Sequence, residues 1–152
     1  LEALTAALDE LALTDEEMRS EFSPALAKSA ASVLSRLTGG AYTELTLDRE
    51  LNALVRCAGE PVLHESAFLS RGTADQLYLA VRLAICDMVL PADKRVPLIL
   101  DDALVTFDDE RLHAALDYLL EESQRRQILL FTCQKRETAY LQGKENVTVT
   151  KL

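Results

Sequence analysis

Residues 98–102, Leu-Ile-Leu-Asp-Asp, restrict the folds open to this 152-residue chain more than any other stretch. Three consecutive branched apolar side chains are too apolar for a strand with one wet face. They suit a central strand of a parallel sheet, covered on both sides. Two carboxylates follow at once, at the carboxyl end of the strand, where open α/β sheets bind ligands. The surrounding pattern alternates. Apolar residues at 77, 80, 81, 84, 85 and 88 predict a mostly buried helix from Thr73 to about Val89, stopped before Pro91. Leu112, Ala115, Leu116, Leu119 and Leu120 give a second helix a clean inner face. Residues 127–131 read as another buried strand, 134–141 as a short helix and 147–150 as a last strand. The expected fold class is α/β, parallel strands with flanking helices and right-handed crossovers.

The first third of the chain is helical and then hairpin-like. Leu1, Leu4, Leu8 and Leu11 recur at spacings of three and four, which fits either a coiled-coil seam or an amphipathic helix packed on its own domain. Thr14 with Glu17 predicts a capping box that restarts the helix, and Ser23-Pro24 a stronger start. Leu26, Ala30, Val33, Leu34 and Leu37 form one apolar stripe, ended at Gly39-Gly40 by a left-handed cap. Two alternating segments, 42–48 and 51–57, predict a small β-hairpin, with Gly59-Glu60-Pro61 as a turn.

Composition removes several function classes. A hydrophobic fraction of 49% supports one ordinary globular core. No apolar run approaches the roughly 18 residues of a membrane span. The start lacks a signal peptide's basic region and an initiator Met, so an excised, cytoplasmic fragment is expected. Cys57, Cys86 and Cys133 show no C-x-x-C spacing and read as reduced thiols. The net charge of −9 argues against broad nonspecific DNA binding by this piece alone.

Two segments carry chemistry. Asp101 could hold Mg²⁺ through hard carboxylate oxygens, and Asp102 could orient or deprotonate an attacking water. Alternatively the pair simply leaves the sheet into a solvated turn. In Leu69-Ser70-Arg71-Gly72-Thr73, Ser70 and Thr73 are N-cap candidates and Gly72 lets an anion approach the backbone. The amides and positive dipole end of the following helix favour phosphate. From the pentapeptide alone, an ordinary helix cap is the better reading. The phosphate-cradling G-x-x-x-x-G-K-[ST] loop is absent: Gly143-Lys144 has Thr138 at the required glycine spacing and Glu145 after it.

The order of these segments, LSRGTADQLYLAVRLA (69–84) and then LILDDALVTFDDERL (98–112), followed by the apolar run into Thr132-Cys133, resembles the C-terminal lobe of ABC-type ATPase heads. The likeness is to the SMC and recombination-repair superfamily, and within it to the YhaN-like group. It extends over about residues 20–152 and includes the Leu37–Tyr42 turn. It implies the C-terminal half of a P-loop head, with residues 1–38 the end of a coiled-coil arm and 39–152 the lobe proper. By the same resemblance, Ser70 and Gly72, flanked by Arg71 and Thr73, contact the γ-phosphate of ATP held by the opposite head. Asp101 is the Walker B metal acid and Asp102 takes the catalytic glutamate's position. Thr106, Phe107 and Asp108 form the loop that crosses the dimer interface, and Cys133, with Gln134 beside it, replaces a switch histidine. Arg71 stands where the first signature glycine is usual, and Thr73 where Gln or Glu is.

The resemblance further implies the cofactors ATP and Mg²⁺, used only with a separate Walker A-bearing lobe. A second head would be the dimer partner, and DNA a contact of the whole protein in repair or maintenance. Without Walker A, the isolated chain is expected to be inactive. Two other classes are a Mg²⁺-dependent nuclease or phosphatase using Asp101, Asp102 and Asp108, and a non-catalytic dimerisation module. His64 and His113 each read as lacking a second ligand at zinc spacing. Asp108-Asp109-Glu110 suits a helix start without a metal. Arg125-Arg126 and Lys135-Arg136 could touch DNA but read better as solvated, and Cys57 and Cys86 read as core filler.

Overall fold

The computed structural model describes residues 2–48, 52–90 and 96–151. Leu1, the residue 51 start of the second strand and the Pro91 helix stop lie outside them. Helix α1 runs unbroken from Glu2 to Leu37. Neither expected restart occurs. Thr14 Oγ1 donates back to the Glu10 carbonyl at 2.9 Å rather than capping a new helix, and Pro24 sits inside α1. Proline's fixed φ is already helical, so its cost is one missing hydrogen bond and the crowding of its ring against the carbonyl four residues back. The turns after it are held by burial: Leu26, Ala30, Val33, Leu34 and Leu37 are all in the core. Before Pro24 the helix is open to solvent, with Leu4, Leu8 and Leu11 each more than half exposed, so that stripe does not pack on its own domain.

Gly39 and Gly40 then adopt φ of +59° and +85°, where side chains are disfavoured, and Gly40 N–H reaches the Ser35 carbonyl at 2.7 Å. Strands β1 (Tyr42–Leu47), β2 (Ala53–Cys57) and β3 (Leu63–Glu65) form an antiparallel sheet in that order. The β1–β2 pair was legible; β3, three residues long, has too little alternation to announce itself. Leu45, Ala53 and Val55 bury their side chains in the core shared with α1.

Helix α2 (Arg71–Val89) packs against α1. Its buried face comprises Gln76, Leu77, Leu79, Ala80, Leu83 and Ala84, while Ile85 and Met88 turn outward, so the predicted stripe is rotated. Buried Gln76 donates to the Leu37 carbonyl at 2.6 Å, satisfying an orphan acceptor at the end of α1.

Strand β4 (Leu98–Asp101), helix α3 (Asp109–Glu122) and strand β5 (Ile128–Phe131) form a parallel βαβ unit, with Leu98 opposite Ile128 and Asp101 opposite Phe131. Alternation divides the pair. Leu98, Leu100, Ile128 and Leu130 pack on the core, whereas Ile99, Leu129 and Phe131 face out at 62%, 38% and 43% exposure. The expectation of two fully buried strands is therefore corrected: no described element of this chain covers their outer face. Helix α4 (Lys135–Leu141) follows, and residues 147–150 form no strand. Their alternation finds no ladder partner among the described residues. Among those residues, no helix is long and apolar enough to cross a membrane.

Candidate functional site

The carboxyl end of β4 lies beside that of β5, and four of the predicted residues meet there. Asp101 ends β4 with its side chain exposed on the same side as Ile99. Asp102 has φ +45°, a left-handed conformation that Asp tolerates better than most residues. Its N–H still bonds the Phe131 carbonyl at 2.9 Å, one step beyond the ladder. The carboxylate turns toward β5: Oδ1 accepts the Cys133 N–H at 3.2 Å, and Oδ2 lies 3.9 Å from Cys133 Sγ. Gln134 Nε2 is 3.8 Å from the same sulfur.

The second group surrounds the first turn of α2. Ser70 is the N-cap; its Oγ accepts the Thr73 N–H at 3.3 Å and bonds Thr73 Oγ1 at 2.9 Å. Gly72 and Thr73 are buried. Arg111 Nη2 donates to Thr73 Oγ1 at 3.1 Å, and a methyl group at Gly72 would overlap Arg111 Nη1. The glycine is needed for this close approach. Thr106 Oγ1 donates to Asp75 at 2.5 Å, Phe107 is buried, and Asp108 caps α3 by accepting the Arg111 N–H at 2.9 Å. Arg136 braces the same loop from the far side through the Leu104 and Val105 carbonyls, at 3.4 and 3.2 Å. The turn at 70–73 and the loop at 103–108 are thus one connected unit. Arg111 escaped the sequence reading, and Arg136, expected to be solvated, instead holds this loop and pairs with Asp109. Arg111's only local signal was its place three residues after the capping aspartate.

Other expectations change. Asp108 is occupied as a helix cap, and Asp101, Asp102 and Asp108 do not form a three-acid cluster among the described residues. This weakens the nuclease alternative. Arg125 and Arg126 are not free: they pair with Glu122 and Asp87, and hydrogen bonding to Glu122 holds the Arg125 guanidinium above its usual range. His113 stacks on Tyr140, with ring centroids 4.1 Å apart. His64 is not isolated, because Glu60 Oε2 is 2.8 Å from its Nε2 and Cys57 is close by. Cys57 is half-buried beside that pair, not simple core filler. Burial pushes the Tyr42 phenol up, and the nearby Cys57 adds to the shift.

The fold of the chain resembles that of SMC head structures. A structure from work on ATP-driven dimerisation and DNA-stimulated activation of SMC ATPases superposes with a TM-score of 0.67 at 18% identity. The match takes in 83% of this chain and 76% of that one. The Smc head domain with an extended coiled coil bound to the C-terminal domain of ScpA, from Pyrococcus furiosus, matches 91% of this chain and 35% of its own (TM-score 0.65, 16% identity). The fold is that of the C-terminal lobe of an SMC-like, YhaN-like ATPase head. The SMC head domain from Thermotoga maritima also superposes, over 76% of this chain and 40% of that one (TM-score 0.60, 21% identity). The uncharacterised protein YhaN of Bacillus subtilis strain 168 is 33% identical over 111 residues, 72% of this chain. The SMC-like lobe spans only 11% of that relative's length. No family profile matches the chain.

Proposed function

We propose that this lobe supplies the signature, Walker B and interface elements of an SMC-like ATPase, completing an ATP site with a separate Walker A-bearing lobe. The observation that carries the reading is the junction of Asp102 with Cys133 at the adjacent ends of β4 and β5. The acid and the residue at the switch position come from segments 31 residues apart and meet where an α/β sheet presents its ligand face.

The residues suit the implied groups. Asp101 offers exposed carboxylate oxygens, the donor type Mg²⁺ prefers. The first turn of α2 combines the amides of a helix N-terminus with Arg71 and Arg111, a suitable surface for the γ-phosphate of ATP on an opposing head. Bound ATP–Mg²⁺ supplies the scissile phosphoanhydride and the charge neutralisation. Asp102 would orient the attacking water and take its proton, while Cys133 and Gln134 hold the acid in place from β5. Ser70 and Gly72 would face the partner's nucleotide, with Thr106 and Asp108 alongside at the interface.

The outer face of β4 and β5, with Ile99, Leu129 and Phe131, would dock on the Walker A lobe, and exposed Leu4, Leu8 and Leu11 on the opposing helix of a coiled-coil arm whose returning helix is α1. In this reading residues 1–38 end the arm and 39–152 form the lobe, in a cytoplasmic protein. Heads joined by ATP and released by hydrolysis would move those arms in DNA repair or maintenance. The test is to mix this chain with the Walker A-bearing portion of its parent and measure ATP-dependent dimerisation. Asp102→Asn should trap dimers that the wild type resolves. An absence of nucleotide response from both would sink the proposal.

A further inference from the structure

The turn joining β2 to β3 gathers a second set of reactive side chains. Cys57 ends β2, Glu60 follows the Gly59 turn and His64 lies on β3, so closing the hairpin folds the three back on one another. Cys57 Sγ, a Glu60 carboxylate oxygen and a His64 ring nitrogen all lie within 4.8 Å of one another. We propose that Cys57, Glu60 and His64 form a binding site for a zinc-type divalent ion, independent of the ATPase reading.

The donor set selects the metal class. One thiolate and one imidazole beside one carboxylate suit a borderline-soft ion, whereas Ca²⁺ and Mg²⁺ take oxygen ligands. Three protein ligands leave the fourth tetrahedral position to water or to a group from outside the chain. Bonds of about 2.0–2.3 Å in a tetrahedron set the ligand atoms roughly 3.3–3.6 Å apart. The Glu60–His64 pair, now at 2.8 Å, needs to open by about half an ångström, and no other separation needs to close by more than about one. Rotations of half-buried or exposed side chains supply shifts of that size. The backbone beneath them is fixed. Val55 pairs with His64, Glu60 N–H bonds the Cys57 carbonyl at 3.1 Å, Ala58 N–H bonds the Ala41 carbonyl at 2.9 Å, and Gly59 takes the φ of +81° that the turn demands.

On binding, the thiol gives its proton to solvent, the proton shared by His64 and Glu60 moves to the other ring nitrogen or to solvent, and both groups then bond the ion. The site is also close to the α2 turn. Tyr42 pairs with Cys57 across β1 and β2, and its phenol lies near both Cys57 and Thr73.

The experiment is equilibrium dialysis of the purified chain against Zn²⁺ alone, with Co²⁺ spectroscopy in parallel. One ion per chain is expected, and Co²⁺ should show a thiolate-to-metal charge-transfer band. Loss of an outer-sphere partner alone commonly weakens metal binding 10- to 100-fold. Cys57→Ser and His64→Gln should therefore weaken it by at least about tenfold, and Cys86→Ser and Cys133→Ser should leave it unchanged. Glu60→Gln, at an exposed position, tests the site without threatening the fold and should also weaken binding. Failure to bind micromolar Zn²⁺, a Co²⁺ spectrum lacking the thiolate band, or unchanged affinity in folded Cys57→Ser or Glu60→Gln would each overturn the assignment.

Discussion

Gly72→Ala separates the fold of this lobe from its proposed work. The added methyl overlaps Arg111 Nη1, while the next nearest atoms, Arg111 Cζ and the Thr106 carbonyl oxygen, stand at an ordinary 3.5 Å. Only the tip of a flexible side chain has to move. Displacing it forfeits the 3.1 Å bond to Thr73, a charged but partly solvated contact worth about 0.5–1.5 kcal/mol. Against that, alanine in place of glycine in a helix gains up to about 0.5–1 kcal/mol, less in the first turn. The two nearly cancel, so urea melts should place the variant within about 1 kcal/mol of wild type.

The functional effect should be far larger, because a methyl and a displaced guanidinium then stand where the opposing head's phosphate is proposed to sit. ATP-dependent dimerisation in the Asp102→Asn background, followed by gel filtration with the Walker A-bearing portion present, should be lost. Adding Arg111→Ala removes the overlap but not the loss of the Thr73 bond, so it should relieve only strain beyond that bond and should not restore assembly. A fall in stability beyond about 2 kcal/mol that Arg111→Ala does not relieve would refute the packing argument. Undiminished dimerisation would refute the role of the turn.

Gln76→Leu strands the buried Leu37 carbonyl and should cost about 1–3 kcal/mol by chemical denaturation. Leu8→Gln, on the open part of α1, should change monomer stability by less than about 0.5 kcal/mol, whereas Leu34→Ala should cost about 2–5 kcal/mol. The Tyr118 phenol is pushed up to about 12, first by burial and then by the nearby Glu122 and Asp87 charges. Below pH 10 both states keep that proton and the stability is full. Above it the unfolded chain ionises first, so stability should fall by about 2–3 kcal/mol as pH rises from 10 to about 12. Tyr118→Phe should flatten that step in pH-dependent urea melts.

What the sequence made legible was what neighbours in the chain decide. The βαβ unit, the Ser70 cap, the Gly39-Gly40 stop and the inner face of α3 all follow from local periodicity or a single backbone requirement. What escaped depended on distant partners. Ser23-Pro24 carried a strong start signal, yet docking of Leu26 through Leu37 kept α1 continuous across it. The pattern at 147–150 was strand-like but had no ladder to join. Leu98–Leu100 was read as covered on both faces because apolar composition reports a demand for burial, not which element meets it. Arg111 and Arg136 look like surface charges until α3 and α4 bring them to the 103–108 loop. The Cys57–Glu60–His64 cluster exists only once the hairpin closes.

Asp102 is where local cost and proposed chemistry meet most closely. A non-glycine residue in the left-handed region carries roughly 1–2 kcal/mol of strain, less for aspartate than for most. That conformation turns the carboxylate from the axis of β4 toward the Cys133 amide. The shortened acid therefore reaches β5 through its backbone angle rather than through an added methylene. Three substitutions take this apart. Asp102→Gly releases the strain and loses the bond to Cys133, two effects of about 1 kcal/mol and opposite sign, so stability should barely change. Asp102→Ala keeps the strain and loses the bond, and should be the less stable by about 1 kcal/mol. Asp102→Asn keeps both the angle and an acceptor for the Cys133 N–H, so it should match wild type in urea melts while abolishing hydrolysis in the assembled head. Equal stability of the Gly and Ala variants would show that the left-handed turn stores no strain and that the reach of Asp102 has another cause.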